Sequence, residues 1–331
     1  MNPRESLRRR ALLAAGGAWI LGTSLRLGAQ PARTVKRVAS ILPGTASAYR
    51  TRFDAFSAEL KGRSQIEGRD ILIDARWADE RLERLPQLAA EVVAQSPAVI
   101  LTATSAGVRA CMRATSKVPI VFATAGTPVE QKFITSLARP GGNVTGVMVH
   151  SLEAKIVEIA REALPGIKRV AILVHEADPI SGSMRDAFVA ACTRFGIEPM
   201  VVIVRGVEEL SLAFNEVRKV KPDALYLPNT SFMLSNGAYL AQRALEARIA
   251  LLTGRQETTT DGGLLSYGTD RLENFRKAAV LVDKILRGAN PAELPVEVPE
   301  RFQFVVNRKT ARAIGATISP AALVRADRII E

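Results

Sequence analysis

Two lobes, each a parallel β-sheet flanked by helices, joined by a multi-strand hinge, is the α/β architecture that this sequence predicts. Three observations carry the reading. From Arg37 onward short β-branched runs alternate with longer segments of helical period, the signature of a parallel sheet wrapped by its crossover helices. The alternation stops at LARPGGNVTGV, 137–147, where Pro140-Gly141-Gly142 breaks it, and then resumes as a second set. Finally, 331 residues exceed one small core, and 47% apolar with 24% charged residues is ordinary globular usage that excludes a fibrous or disordered chain.

In the first half, strands are predicted over 38–42, 71–75, 98–102 and 120–123, with helices over 53–60, 85–93 and 108–114. In the second, strands over 170–174, 200–204, 224–227 and 250–253 alternate with helices over 156–164, 184–195, 210–220 and 238–247. Apolar residues recur in each helix at three- and four-residue steps, so each presents one stripe to a sheet. Segment 137–147 reads as a linker. A second crossing is predicted near 262–270, where the strand-like GGLLSYGTD leads into an amphipathic stretch, 272–286, that no strand follows directly. After Pro291, Pro295 and Pro299 come a strand over 302–306 and a short helix over 310–314 opened by Asn307. The implied organisation is an export signal over 1–29, a first lobe of 36–146 with 271–290, a second of 147–270 with 300–316, and a C-terminal tail over 317–331. Lobes joined by more than one crossing form a hinge over a cleft.

The formal net charge is +12, and residues 1–29 hold five arginines against Glu5 alone, a net of +4 that leaves +8 scattered over the rest. No run of like charges, no basic helix face and no aromatic-glycine RNA signature accompanies it, so no nucleic-acid partner is expected. Arg8-Arg9-Arg10 precedes an uncharged stretch, 11–25, of a length suited to a signal-peptide core and short of the roughly 20 residues of a bilayer span. Leu12 and Leu13 after the arginines fit a twin-arginine signal, and a general secretory signal fits nearly as well. Cleavage is expected after Ala29, although Leu27 is larger than the residue preferred there, which leaves an uncleaved anchor as the alternative. The expected location is the periplasm. Cys111 and Cys192 fall in separate predicted helices and different lobes, and read as two thiols rather than a disulfide.

In open α/β sheets a ligand sits beyond the carboxyl ends of the strands. After the first strand come Thr45, Ser47 and Tyr49; after the third, Thr104 and Ser105, whose hydroxyls and free N–H groups at a helix start suit a carboxylate. Helix capping is the better account of any one such loop taken alone, and it is their convergence that points to a ligand. The fourth strand ends in Thr124-Ala125-Gly126-Thr127. On the second lobe the corresponding loops carry Asp178, Asn229, Thr230, Gln256 and Glu257. Asp178 or Glu257 could meet an ammonium group and Arg255 an acid, while Tyr49, Trp77, Phe232 and Tyr267 are aromatic residues fit for stacking or for plain lobe packing. No phosphate loop, dinucleotide fingerprint, nucleophile elbow or H-E-x-x-H is present. His150 and His175 are the chain's two histidines, far apart in sequence and read as polar surface residues, so neither catalysis nor a metal or other cofactor is expected.

VPIVFATAGTPV (118–129), LARPGGNVTGV and VDKILRGANPAELPVEVPERFQFVVNRKTARAIG (282–315), with RWADERLERLPQLAAE (76–91), resemble the substrate-binding proteins of ABC transporters in the tryptophan/tyrosine-type group. The resemblance covers nearly everything after the signal segment. It implies a periplasmic-binding-protein fold, type I-like, in which a small-molecule solute is trapped between the lobes and delivered to an ABC permease in the inner membrane; a monomer without enzymatic activity is expected, and an enzyme on a doubly wound α/β fold or a ligand sensor for a membrane receptor are the alternatives. It places ligand contacts on Thr45, Ser47, Thr104, Ser105, Asp178, Asn229, Thr230, Gln256 and Glu257. Two positions depart from the family pattern: Thr127 stands where an acidic residue precedes the proline, and His175-Glu176 where Asn-Pro is common. The first removes a charge that could meet an amino group, so a small carboxylate or amide competes with an amino acid as ligand.

Overall fold

Apolar side chains on both faces of two parallel sheets account for the architecture. The computed structural model describes residues 34–299 and 301–331; the expected export signal and its cleavage point lie outside the described residues. Val35–Glu331 form one compact unit. Its first sheet contains β1 (Lys36–Leu42), β2 (Ile71–Trp77), β3 (Val99–Thr102), β4 (Ile120–Gly126) and β5 (Val144–Val149), in the spatial order β2-β1-β3-β4-β5 and parallel throughout. Alternate residues of β1 enter different cores: Val38 and Leu42 join one cluster, Ala39 and Ile41 the other. The first cluster is closed by Phe56 and Leu60 of α1 (Ala46–Gly62) and Phe275, Ala278 and Val282 of α9 (Arg271–Leu286). The second is closed by Leu85, Leu88 and Val92 of α2 (Leu85–Ala94) and Val108 and Cys111 of α3 (Thr104–Ala114). A strand buried on both faces reads as a continuous apolar run, which is why these strands stand out in the sequence.

The second sheet contains β6 (Arg169–His175), β7 (Glu198–Val204), β8 (Ala224–Leu227), β9 (Ala250–Thr253), β10 (Leu265–Thr269), β11 (Phe302–Asn307) and β12 (Arg328–Ile330), in the order β12-β11-β10-β9-β8-β6-β7. Only the β10–β11 pairing is antiparallel. Helices α4 (Glu153–Ala163) and α5 (Ser181–Arg194) cover one face, and α6 (Leu210–Val220) and α7 (Ser231–Glu246) the other. Three short helices complete this half: α8 (Gln256–Thr260), α10 (Arg308–Ile314) and α11 (Pro320–Arg325).

The chain passes between the sheets three times: from β5 to α4, from β10 to α9, and through 287–301 from α9 to β11. The third passage is tied to the first, because Glu297 N–H donates to Gly146 O at 2.9 Å and Glu297 O accepts from Met148 N–H at 3.0 Å. Segment 137–147 is therefore not a bare linker: its last residues form β5, a buried fifth strand, and the chain leaves the first sheet only after Val149. Val144 and Met148 face one core and Val147 the other, so no polar–apolar alternation marks the strand, and Gly146 interrupts its apolar run. Nor is 317–331 a simple tail, since it holds α11, capped by Ser319, and the edge strand β12 parallel to β11. Both elements are too short for a period to register. Cys111 and Cys192 are buried and unbridged, and burial pushes each thiol up to about 12, so both remain protonated and inert at neutral pH.

Gly146 allows β5 to approach β4: a Cβ there would lie 2.2 Å from Phe122 O and 2.5 Å from its Cγ. Gly146→Ala is expected to cost about 1–3 kcal/mol through overpacking, read as a lower urea midpoint; an unchanged midpoint would mean that β5 is not held against β4 as described.

Candidate functional site

A cavity of about 300 Å³ lies between the carboxyl ends of the two sheets. The first lobe contributes the ends of β3 and β4. There Thr104 opens α3 with φ +62° and Thr127 follows β4 with φ +41°, a left-handed backbone that a β-branched residue adopts only under constraint. Gln131 holds the two loops together, its Nε2 donating to Ser105 Oγ at 2.8 Å and to Gly126 O at 2.6 Å. Gly107 lets α3 settle on β3, since a Cβ there would lie 2.1 Å from Thr102 Oγ1. The second lobe contributes Asp178, Ile180 and Met184 from the β6–α5 region and Asn229 after β8. The first crossing adds Val149, His150, Ser151 and Glu153.

Carboxylates dominate the charge of this cavity. Asp178 is buried, its Oδ1 accepts the Ile180 N–H at 3.1 Å, and burial pushes its carboxyl up, opposed by that hydrogen bond and by nearby His175. Glu153, 1% exposed, accepts from the Ser151 hydroxyl and, at 3.3 Å, from Tyr226 OH. Glu130 stands at the rim, and no lysine or arginine is among the described lining residues. Two lining residues, Thr104 and Asn229, carry buried oxygens, Oγ1 and Oδ1, that have no hydrogen-bond partner among the described residues. Buried polar atoms are normally paired. Such a lining suits a polar solute with an ammonium group and an apolar body packed on Val149, Ile180 and Met184.

Of the residues expected from sequence, Thr104, Ser105, Thr127, Asp178 and Asn229 line the cavity. The other six do not. Thr45 caps α1, its Oγ1 accepting the Ala48 N–H, and exposed Ser47 lies against it at 3.1 Å. Tyr49 is buried between the lobes, with its hydroxyl 3.2 Å from Ser231 Oγ. Thr230 caps α7 and its carbonyl accepts from Arg255 Nη2 at 2.6 Å. Gln256 is hydrogen-bonded to Gln303 and Glu257 is paired with Arg52 at 2.8 Å. Strand order explains the division for all but Thr230, which follows β8 but turns into the cap of α7: β3, β4 and β5 in one sheet and β6 and β8 in the other end at the cavity, whereas β1 and β9 lie one strand further over. The aromatic residues also serve packing. Tyr49 and Trp77 stand 6.4 Å apart, Phe232 stacks on His175 at 4.2 Å, and Tyr267 stacks on Phe302 at 5.5 Å. His175, expected on the surface, is buried, its Nε2 lies 3.2 Å from Arg205 O, and burial lowers its basicity. His150, also expected as an ordinary surface residue, lines the cavity. It was hidden, with Ser151 and Glu153, because these residues follow a strand that reads as linker.

Among the described residues three polar contacts join the lobes beyond the cavity: Tyr49 with Ser231, Arg52 with Glu257, and Asn236 Nδ2 donating to Glu80 Oε2 at 3.1 Å. Asp79 and Glu80 are both left-handed, with φ +52° and +66°. Burial pushes the Glu80 carboxyl up to about 7, opposed by the Asn236 hydrogen bond and reinforced by the neighbouring Asp79 charge. The folded protein therefore holds this proton more tightly than the unfolded chain does. The resulting stability is fully present below the ordinary value of 4.5 and is lost as the pH rises through about 7. The melting temperature of wild type relative to Glu80→Gln is expected to fall across that window; a difference independent of pH would remove Glu80 from lobe contact.

The sequence profile of a family described as ABC transporter substrate binding protein matches residues 43–330. A tyrosine-binding protein of Clostridioides difficile is 23% identical over 261 residues, 78% of this chain and 75% of that protein. A conserved domain protein of Vibrio cholerae superposes with a TM-score of 0.84 at 24% identity, covering 89% of this chain and 99% of that one. An ABC domain from Streptococcus pneumoniae in complex with L-Trp superposes with a TM-score of 0.83 at 20% identity, covering 90% and 100%.

Proposed function

Because the chain belongs to the ABC transporter substrate-binding protein family, we propose that it is an exported, monomeric binding protein that closes over a small amino acid or related amide and presents it to an inner-membrane ABC permease. The observation that carries the ligand class is the pairing, within one cavity, of Asp178, buried with no lysine or arginine partner among the described residues and with His175 as its nearby base, with the unpartnered oxygens of Thr104 and Asn229 from opposite lobes. An ammonium group would meet Asp178 and Glu153, and the solute's carboxylate or amide would meet the N–H groups that open α3, where Thr104 and Ser105 stand. Contacts on both lobes make closure and binding one event, since a ligand shifts the lobes only by its differential affinity for the closed state. Tyrosine and L-Trp are the solutes named for two similar proteins; here Tyr, Trp and Phe are absent from the described lining, which favours a smaller aliphatic or polar side chain. Export to the periplasm accords with the basic start and apolar core of residues 1–29. Among the described residues no helix is long and apolar enough to cross a membrane.

Calorimetric titration with a panel of L-amino acids, their amides and simple carboxylates tests this reading. Binding by one or more amine-bearing solutes is expected. Asp178→Asn should weaken it at least tenfold, about 1.4 kcal/mol, without lowering the melting temperature, because the change removes a buried charge. Thr104→Ala should weaken it less. Binding confined to carboxylates that lack an amine, or unaffected by Asp178→Asn, would sink the assignment.

A further inference from the structure

Beside the solute cavity lies a second one of about 210 Å³ that shares no lining residue with it. Arg255, Glu257, Asp270, Arg271 and Arg328 bound it. Arg52, Arg255 and Arg271 are the buried arginines among the described residues, at 4%, 5% and 9% exposure. Their carboxylate complement is small. Glu257 is engaged by Arg52 at 2.8 Å, and Asp270 Oδ1 accepts the Leu272 and Glu273 N–H groups at 2.8 and 3.3 Å, capping α9. Arg255 donates to the Thr230 carbonyl, a neutral acceptor. Arg271 has neither a hydrogen-bond nor an ion-pair partner among the described residues. The Nε of all three arginines is buried and unpartnered.

Arg52, Arg255 and Arg271 thus share one nearby carboxylate, Glu257, which Arg52 engages directly, so two of the three positive charges are left without a matching negative one. A guanidinium keeps its proton at neutral pH, so the buried charge can be answered only by an anion or left uncompensated, and the latter is destabilising. Burial, then Arg271 and Arg52, pushes Arg255 well below the ordinary arginine range; burial, then Arg52, lowers Arg271 to about 10. The planar fork of donors on each side chain matches a carboxylate or phosphate. Their placement adds a conformational consequence. Arg52 on α1 and Arg271 at the start of α9 belong to the elements packed on the first sheet, whereas Arg255 follows β9 of the second.

We propose that this arginine cluster is a second binding site, for a small oxyanion of the carboxylate or phosphate class, assembled as the lobes approach, and that its occupancy favours closure and so couples positively to solute binding. The coupling is reciprocal: whatever the anion adds to solute affinity, the solute adds to anion affinity.

The test uses the full chain, titrated with sodium phosphate, sodium acetate or sodium chloride at matched ionic strength, and read by calorimetry, melting temperature and small-angle scattering. The expected result is a saturable rise in melting temperature with phosphate or acetate that chloride does not reproduce, the stronger of the two identifying the anion class. A smaller radius of gyration at saturation is expected with it. Arg271→Gln and Arg255→Gln should each weaken the effect at least tenfold, while melting no lower than wild type in chloride because each removes an unmatched buried cation. Arg328→Gln, at the exposed rim, should weaken it a few-fold and serves if the buried variants do not fold. Equal, non-saturating effects of the three salts would overturn the site, and an unchanged radius would overturn the coupling. Thr104→Ala should leave the phosphate response intact. A phosphate response without binding of any amino acid would therefore overturn the solute reading alone, and amino-acid binding with equal salt effects the anion site alone.

Discussion

Two parallel sheets set with their carboxyl ends toward each other bring strand ends, helix starts and backbone N–H groups into one narrow space, and every polar group there must find a partner when the space closes. The distribution of side chains across the interface follows from this requirement. Gln131 satisfies Ser105 and Gly126 within the first lobe, Thr230 satisfies the start of α7 and takes a hydrogen from Arg255 within the second, and Arg52 and Asn236 reach across to Glu257 and Glu80. Four of the nine left-handed non-glycine residues described, Asp79, Glu80, Thr104 and Thr127, stand just beyond the ends of first-sheet strands, on the cleft side. Backbone strain of this kind persists where surrounding structure holds it. Here that structure includes the hydrogen bonds of Gln131 and the close seating of Gly107 on Thr102.

The hinge answers a different need. Three passages between the sheets allow rotation of the lobes while limiting sliding, and Glu297 stitches the third passage to β5 through two backbone hydrogen bonds. Rigid lobes moving about such a strap keep their cores intact, as the separate apolar clusters on each face of each sheet require. Closure then changes only the polar surface between them.

What the sequence revealed of this arrangement depended on how strongly burial wrote itself into local pattern. Strands buried on both faces, such as Val99–Thr102 and Ala224–Leu227, are short apolar runs and were legible. β5 was not, because Gly146 splits it and the preceding Pro-Gly-Gly reads as a loop. Helix starts were placed late on the cleft side: α1 begins at Ala46 rather than near residue 53, and α7 at Ser231 rather than 238, since first turns that face a polar interface lose the apolar stripe. The candidate site divided along the same line. Residues at strand ends could be named from sequence, but which strand ends converge is a property of sheet order, which chain order does not encode. Thus Thr104, Asp178 and Asn229 meet in one cavity, while Glu257 and Tyr49, named by the same rule, lie beside it.

Charge is sorted between two neighbouring cavities, and the sorting bears on why closure should be conditional. Asp178 and Glu153 line one cavity; Arg255 and Arg271 line the other, where Glu257 is engaged by Arg52 and Asp270 caps α9. Tyr226 stands near both, its hydroxyl donating to Glu153 and its ring fully buried; burial first, then Glu153, holds its proton far more firmly than usual. Pressing the lobes together without a partner of opposite charge desolvates like-charged groups on both sides. A desolvated, uncompensated ion costs far more than a surface ion pair returns, so Arg52–Glu257 and the two hydrogen bonds beside it are too weak to hold the lobes shut alone. Opposite charge arriving in the cavities reverses the balance. On the proposed reading, such a protein stays open until loaded, the property by which a permease would distinguish carriers with cargo from those without.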